Sequence, residues 1–209
     1  RNQSLLVLDR ARGALVAFDR AGRFLALRPF QGPATEEASA RGARILLDSF
    51  GTLWLLATQA RDLMPLTDQL TPVRATRYLT PEDQVGVPVA AAQFGAGVWI
   101  YDAAQGAIRR FTSSGRFQLS ISPEDSAGAV APSDLATDAA GNLYVADEKG
   151  QRLFVFDPSG ALLITRALGG AKIPWRPAAL AVGPGGVVAV ADAERCEIQI
   201  FATDREAKP

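Results

Sequence analysis

The sequence predicts an all-β fold, a β-propeller of about five four-stranded antiparallel blades. Three observations carry this expectation: a spacing of 45 residues between equivalent positions, short apolar runs broken by turn residues, and no sustained helical periodicity along the 209 residues.

The spacing is legible when four segments are set side by side: LLVLDRARGALVAFDRAGRFLAL from residue 5, GVWIYDAAQGAIRRFTSSGRFQL from 97, NLYVADEKGQRLFVFDPSGALL from 142 and VVAVADAERCEIQIFATD from 187. An aspartate closes the first apolar run at Asp9, Asp102, Asp147 and Asp192, the last three 45 residues apart. A phenylalanine follows nine residues later, at Phe18, Phe111, Phe156 and Phe201, and these four rings are expected between blades. Glycine then recurs at Gly22, Gly115 and Gly160. A further copy is degenerate, with Ala57 and Leu66 in the Asp and Phe positions, yet TLWLLAT still stands where NLYVADE stands elsewhere. Upstream runs end near Asp48, Gln93, Asp138 and Gly183, again at intervals of 45.

Each copy therefore supplies four runs rich in Val, Leu, Ile, Phe and Ala, separated by Gly, Pro, Asp or Ser: a (such as LATD), b (NLYVAD), c (RLFVF) and d (ALLITR). Four antiparallel strands repeated radially make a propeller blade, and a 48% hydrophobic chain of this length can fill its core. The chain reads as one domain, 1–209, with blades at about 1–29, 43–80, 88–121, 133–167 and 178–204. Strand a of the first unit and strand d of the last fall outside the frame, so the terminal blades are expected to be incomplete. Six blades are the alternative count, and the open sheet edges would need either a longer native chain or an unusual closure.

Residues 132–160 resemble the NHL repeat: Pro132, an apolar strand, Asp138, the Gly141–Asn142 pair, the strand ending Tyr144-Val145-Ala146-Asp147, a short turn, Arg152, an apolar strand closing on Phe156, and the hairpin glycine Gly160. The likeness extends over nearly the whole chain, weakening through the fifth, first, third and second units. It implies a propeller and a family of binding surfaces. Propellers host many unrelated roles, so a role has to come from side chains.

Composition removes several chemistries. Lys plus Arg equals Asp plus Glu at 22 each, which leaves no net field to favour nucleic acid or an anionic membrane. There is no histidine, so Ser-His-Asp and Cys-His nucleophile systems and imidazole metal sites are excluded. Propellers of the gluconolactonase type resemble this fold, and the resemblance implies a divalent cation held by carboxylate and Asn oxygens in the central channel. Only Asn2 and Asn142 exist here, and the inner strands supply Ile45, Ala90, Leu135 and Leu180 at one level and Leu46, Ala91, Ala136 and Ala181 at the next. The expected channel is apolar and small, with no metal, no cofactor and no catalytic residues. The lone Cys196 can form no internal disulfide and reads as a semi-exposed thiol in a b–c turn. No run is long enough to cross a membrane as a helix and no secretory leader is visible, while the start at Arg1 fits a processed or trimmed chain, so an extracellular or periplasmic bacterial location is expected.

The functional expectation is a non-catalytic interaction scaffold, not an enzyme, binding a protein, peptide or glycan through the loop face, alone or within a larger assembly. Two alternatives stand beside it: a lactonase-like propeller enzyme using carboxylates or an oxygen-ligated metal, and an RNA-binding NHL-type propeller, disfavoured because the d–a loops add acids to the basic b–c turns. The candidate partner-binding residues are Trp175 and Arg176 in AKIPWRPAAL, with Lys149, Arg152, Arg195 and Arg12 of the b–c turns. Flanking Pro174 and Pro177 would hold Trp175 extended, and Trp beside Arg is the composition of interface hot spots. The competing reading of Trp175 is a lid folded over the channel or over the junction of blades 4 and 5. The aspartate ladder is read as turn acceptors, Trp54 and Trp99 as core, and the pairs Glu82–Asp83 and Glu124–Asp125 as solvated loop charge.

Overall fold

Strand b ends at the expected residue in every unit, because the aspartate or alanine there is the last position the ladder can use before the chain must turn. The computed structural model describes residues 5–32, 34, 36, 38, 43–48, 51–57, 61–71, 73, 85–95, 97–112, 115–124, 130–168 and 175–202. Among these, five antiparallel sheets run in chain order. The first holds β1 (Leu5–Asp9), β2 (Ala14–Phe18) and β3 (Phe24–Pro29), and the second β4 (Arg44–Leu47), β5 (Leu53–Ala57) and β6 (Asp62–Pro65). The third holds β7 (Pro88–Phe94), β8 (Gly97–Asp102), β9 (Ala107–Thr112) and β10 (Phe117–Ile121). The fourth holds β11 (Pro132–Thr137), β12 (Leu143–Asp147), β13 (Arg152–Phe156) and β14 (Leu162–Ala167), and the fifth β15 (Pro177–Val182), β16 (Val187–Asp192) and β17 (Glu197–Ala202). Among the described residues, helical conformation is found at the 3-10 turn Pro184–Gly186 and at residues 34, 36, 38, 123 and 124. In the connection 29–43, Ala34 and Ala38 are helical and buried in one cluster with Phe30 and Leu70, so these residues pack into the core. Among the described residues no helix is long and apolar enough to cross a membrane.

The 45-residue frame also governs backbone conformation. Gly13, Arg61, Gly106, Gln151 and Cys196 occupy one position of the b–c turn, and all five have positive φ, between 51° and 63°. The turn geometry is therefore kept through the repeat while its residue type is not. Leu70, at φ 58°, stands where Gly115 and Gly160 stand in the next units, which is why the second unit looks degenerate in sequence yet keeps its hairpin.

Alternation along each strand puts one apolar face toward the preceding sheet and one toward the next. Trp54, Leu56 and Leu63 pack with Val98, Ile100 and Phe111 between the second and third sheets. Trp99, Tyr101 and Ile108 meet Leu143, Val145, Phe154 and Phe156 between the third and fourth. The expectation that all four repeat phenylalanines are buried is corrected: Phe111 and Phe156 are, whereas Phe18 and Phe201 are only half-buried. Phe18 pairs in register with Leu5, itself 60% exposed, on a face of the first sheet that no described sheet covers. Phe201 lies on β17, which has no outer strand among the described residues, unlike β13 beneath β14. The first strands β4, β7, β11 and β15 lie next to one another, and their exposed side forms the wall of a central cavity.

Candidate functional site

Arg44, Val89, Asp134 and Ala179 occupy one position of the frame, at the entry to the inner strands and one residue before the apolar ladder Ile45, Ala90, Leu135 and Leu180. Two of these four are charged, with opposite signs. They stand on the wall of a cavity of about 480 Å³, together with Leu8 and Arg10 of the first sheet and the apolar side chains Ile45, Leu46, Leu135 and Leu180. Arg44 reaches along the wall from β4: its Nε donates to the Val89 carbonyl at 3.4 Å and its Nη2 to the Ser133 carbonyl at 3.1 Å. That places Nε 4.0 Å from Asp134 Oδ1. Asp134 is held from the other side, its Oδ2 accepting the Leu180 amide at 2.8 Å.

Asp134 is largely enclosed, its side chain 13% exposed. Burial pushes its carboxyl above the usual range, and the nearby Arg44 charge and the amides of Leu180 and Leu135 offset this only in part. A buried acid with raised proton affinity in a cleft has the character of a proton-transfer group. The expectation of an apolar channel is corrected, because Arg44 and Asp134 stand in its wall. The signal was present in the frame, one position upstream of the apolar ladder, but no local pattern marks a single Arg and a single Asp 90 residues apart as neighbours.

A hard divalent cation needs several oxygen ligands. Among the described residues no three carboxylate or other acidic or thiol donors gather, and Asp134, the one carboxylate of the cavity wall, already faces a guanidinium. The donor set does not fit a metal.

The predicted partner-binding residues fall elsewhere. Trp175, Arg176, Lys149, Arg152 and Arg195 gather on the rim formed by the β12–β13 and β16–β17 turns and the segment before β15, whereas Arg12 lies in the first sheet. Trp175 is 5% exposed and packs with Tyr144, Leu153, Val155 and Val190, its amide donating to Gln151 Oε1 at 2.9 Å. It closes the junction of the fourth and fifth sheets instead of projecting. The arginines fold back too: Arg12 pairs with Asp9 at 2.6 Å, Arg152 with Asp147 at 2.9 Å, and Arg176 with Glu148 at 2.6 Å, while Arg195 stacks 5.4 Å over Trp175. Lys149 is exposed. A second cavity of about 430 Å³ opens beside Trp175 and Arg195, bounded by Arg166 and β17. Glu82, Asp83 and Asp125 lie outside the described residues.

The aspartate ladder organises this rim. Asp102 accepts the amides of Gly86, Val87 and Ala104, and Asp147 that of Ala131. Asp192 accepts those of Glu194, Arg195 and Arg176. Each carboxylate thus clamps the incoming d–a connection onto its own b–c turn, and the three are fully or almost fully buried.

The antiparallel sheets in chain order and their shared inner wall define an all-β repeat protein of propeller type. Residues 175–201 match the NHL repeat model, covering the fifth sheet from Trp175 through Phe201. No curated protein sequence matches the chain. Among solved structures, virginiamycin B lyase from Staphylococcus aureus is similar at a TM-score of 0.60 and 14% identity, over 96% of this chain and 67% of that one. A second structure of that lyase, a catalytically inactive histidine-to-alanine variant with quinupristin, gives a TM-score of 0.58 and 14% identity over 99% and 72%. A luciferin-regenerating enzyme gives a TM-score of 0.60 and 17% identity over 91% and 65%. At such identities the likeness is one of fold.

The similar structures are nevertheless named enzymes, and the expectation of a non-catalytic scaffold, with no enzyme activity, is corrected on that finding. That expectation rested on the missing histidine and on an apolar channel. The first stands, and separates this chain from a lyase inactivated by loss of one histidine. The second does not, since Arg44 and Asp134 lie in the wall.

Proposed function

We propose that this chain is a propeller hydrolase of lactonase-like type, acting on a small ester or lactone in the central cavity, with Asp134 as general base. The observation that carries this reading is a largely buried carboxylate of raised proton affinity on the wall of a cavity of about 480 Å³, where it stands beside an arginine and among leucine, isoleucine and alanine side chains. Cavities of this size suit small molecules rather than chains. In the reaction, ionised Asp134 removes a proton from water as the water oxygen bonds to the carbonyl carbon. The carbonyl oxygen gains the negative charge, beside the positive potential of Arg44, which its two carbonyl partners hold in place. Collapse breaks the bond to the leaving alkoxide, and that oxygen takes the proton back from Asp134. No histidine or metal is needed.

In this reading the five sheets are five blades of one domain spanning 1–209, the first, second and last with three strands each among the described residues. The test is hydrolysis of a panel of aliphatic lactones and esters followed by pH-stat titration. Wild-type protein is expected to turn over at least one class, and Asp134→Asn to lose about 10²- to 10⁴-fold, the usual worth of a positioned general base. Absence of turnover by wild type across the panel, or an Asp134→Asn variant as active as wild type, overturns the proposal.

A further inference from the structure

The cavity wall carries more positive than negative charge. Arg10 and Arg44 face it, and Asp134 is its one acid. Arg44 is engaged three ways, with the Val89 and Ser133 carbonyls and with Asp134. Arg10, in the turn after β1, is exposed and has no ion-pair partner among the described residues. The nearest acid in sequence, Asp9, is already taken by Arg12 at 2.6 Å. One guanidinium at the mouth is thus left for something that enters from solvent. Leu8, Ile45, Leu46, Leu135 and Leu180 supply the apolar part of the same wall.

From this division we infer that the cavity takes an amphipathic organic monoanion, its carboxylate paired with Arg10 and its aliphatic body laid against the leucine wall. The inference rests on the reading of this cavity as the substrate site, and it names the substrate class: an aliphatic ester or lactone that carries a carboxylate in addition to the bond it hydrolyses. A planar guanidinium receives a carboxylate through two parallel N–H donors, which a neutral amide cannot match. A cationic head group at the same place would meet uncompensated positive charge.

The probes are octanoate, octanamide and octylammonium, titrated calorimetrically into wild type, Arg10→Gln, Arg10→Lys and Arg12→Gln at low ionic strength. Arg10 is an exposed turn residue, so its variants are expected to fold, with circular dichroism and Tm as the check. Octanoate is expected to bind wild type at least tenfold more tightly than octanamide, with octylammonium weakest. Arg10→Gln is expected to bring octanoate and octanamide within twofold of each other, Arg10→Lys to keep most of the preference, and Arg12→Gln to leave it unchanged. Equal binding of octanoate and octanamide by wild type, retention of the preference in Arg10→Gln, or no binding of any probe overturns the inference. Asp134→Asn separates the two proposals: octanoate selectivity retained in this variant, with no lactone or ester hydrolysed by wild type, removes the hydrolase reading and leaves the anion site standing.

Discussion

Asp134 Oδ2 accepts the backbone amide of Leu180 at 2.8 Å, so the acid of the central cavity is tied to the inner strand of the next sheet. The bond crosses from β11 to β15, and only the packing of the fourth sheet on the fifth brings the two groups together. It leaves Oδ1 on the side of Arg44.

This arrangement sets a pH dependence. The folded-state proton affinity of Asp134 is raised, chiefly by burial, so the native state binds the proton more readily than the unfolded chain does. Ionised Asp134 is then a cost to folding, which appears as pH rises from the ordinary carboxylate range through the raised folded value. The carboxamide introduced by Asp134→Asn would be neutral at every pH, and its oxygen could still accept the Leu180 amide. Asp134→Asn is therefore expected to match or exceed wild type in Tm at pH 7, and the difference is expected to vanish at acidic pH where Asp134 is protonated. Thermal melts from acidic to neutral pH check this, and a variant clearly less stable than wild type at pH 7 would contradict it.

The clamp made by Asp147 is worth more than the equivalent contact at Asp9. Asp147 is fully buried, with Oδ1 on the Ala131 amide at 2.8 Å and Oδ2 on Arg152 Nε at 2.9 Å. Asp147→Ala would leave the Ala131 amide without its acceptor and remove the ion pair to the half-buried Arg152, and should cost about 3 kcal/mol. Asp9 pairs with the solvent-exposed Arg12, so Asp9→Ala should move the denaturation midpoint much less. Urea unfolding of both variants gives the comparison. A Cβ at Gly150 would run into Asp147 Oδ2 and the Arg152 guanidinium, so Gly150→Ala should weaken the same clamp from outside.

Burial orders the aromatic substitutions. Phe156→Ala and Phe111→Ala should each cost about 3–5 kcal/mol, and Phe18→Ala or Phe201→Ala less than half of that, because half-buried rings lose less apolar contact. Trp175→Ala belongs with the first group: its indole is packed among Tyr144, Leu153, Val155 and Val190, so a steep fall in Tm is expected. Denaturant titration of the five variants would show the order, and an unchanged Tm for Trp175→Ala would restore the projecting-loop reading of that residue.

Cys196 holds φ at 55° in a turn position that two other units fill with Gly13 and Gly106. A side chain in that region crowds its own backbone. Cys196→Gly is expected to raise stability by up to about 1 kcal/mol, partly offset by the greater freedom of glycine in the unfolded chain. Gln151→Gly should not gain in the same way, since Gln151 Oε1 accepts the Trp175 amide at 2.9 Å. Paired chemical denaturation of the two variants distinguishes these effects.

What the sequence determined was the frame. Strand ends at Asp9, Ala57, Asp102, Asp147 and Asp192, the turn at each, and the alternation that makes both faces of a sheet apolar are all local, and 45-residue recurrence sums weak local signals into a strong one. What it did not determine were properties of the space between units. Phe18 and Phe156 are equivalent in the repeat, yet one is half-buried and the other fully buried, because burial depends on a neighbouring sheet and not on the residue's own strand. Trp175 was legible as a rigid aromatic between prolines, but whether it points outward or inward was decided by the gap between the fourth and fifth sheets that it fills. Arg44 and Asp134 are 90 residues apart, and only the lateral packing of β4, β7 and β11 turns two isolated charges into one site. Their pairing and the raised proton affinity of Asp134 arise from desolvation by that packing, a quantity no stretch of chain possesses until the sheets have closed around it.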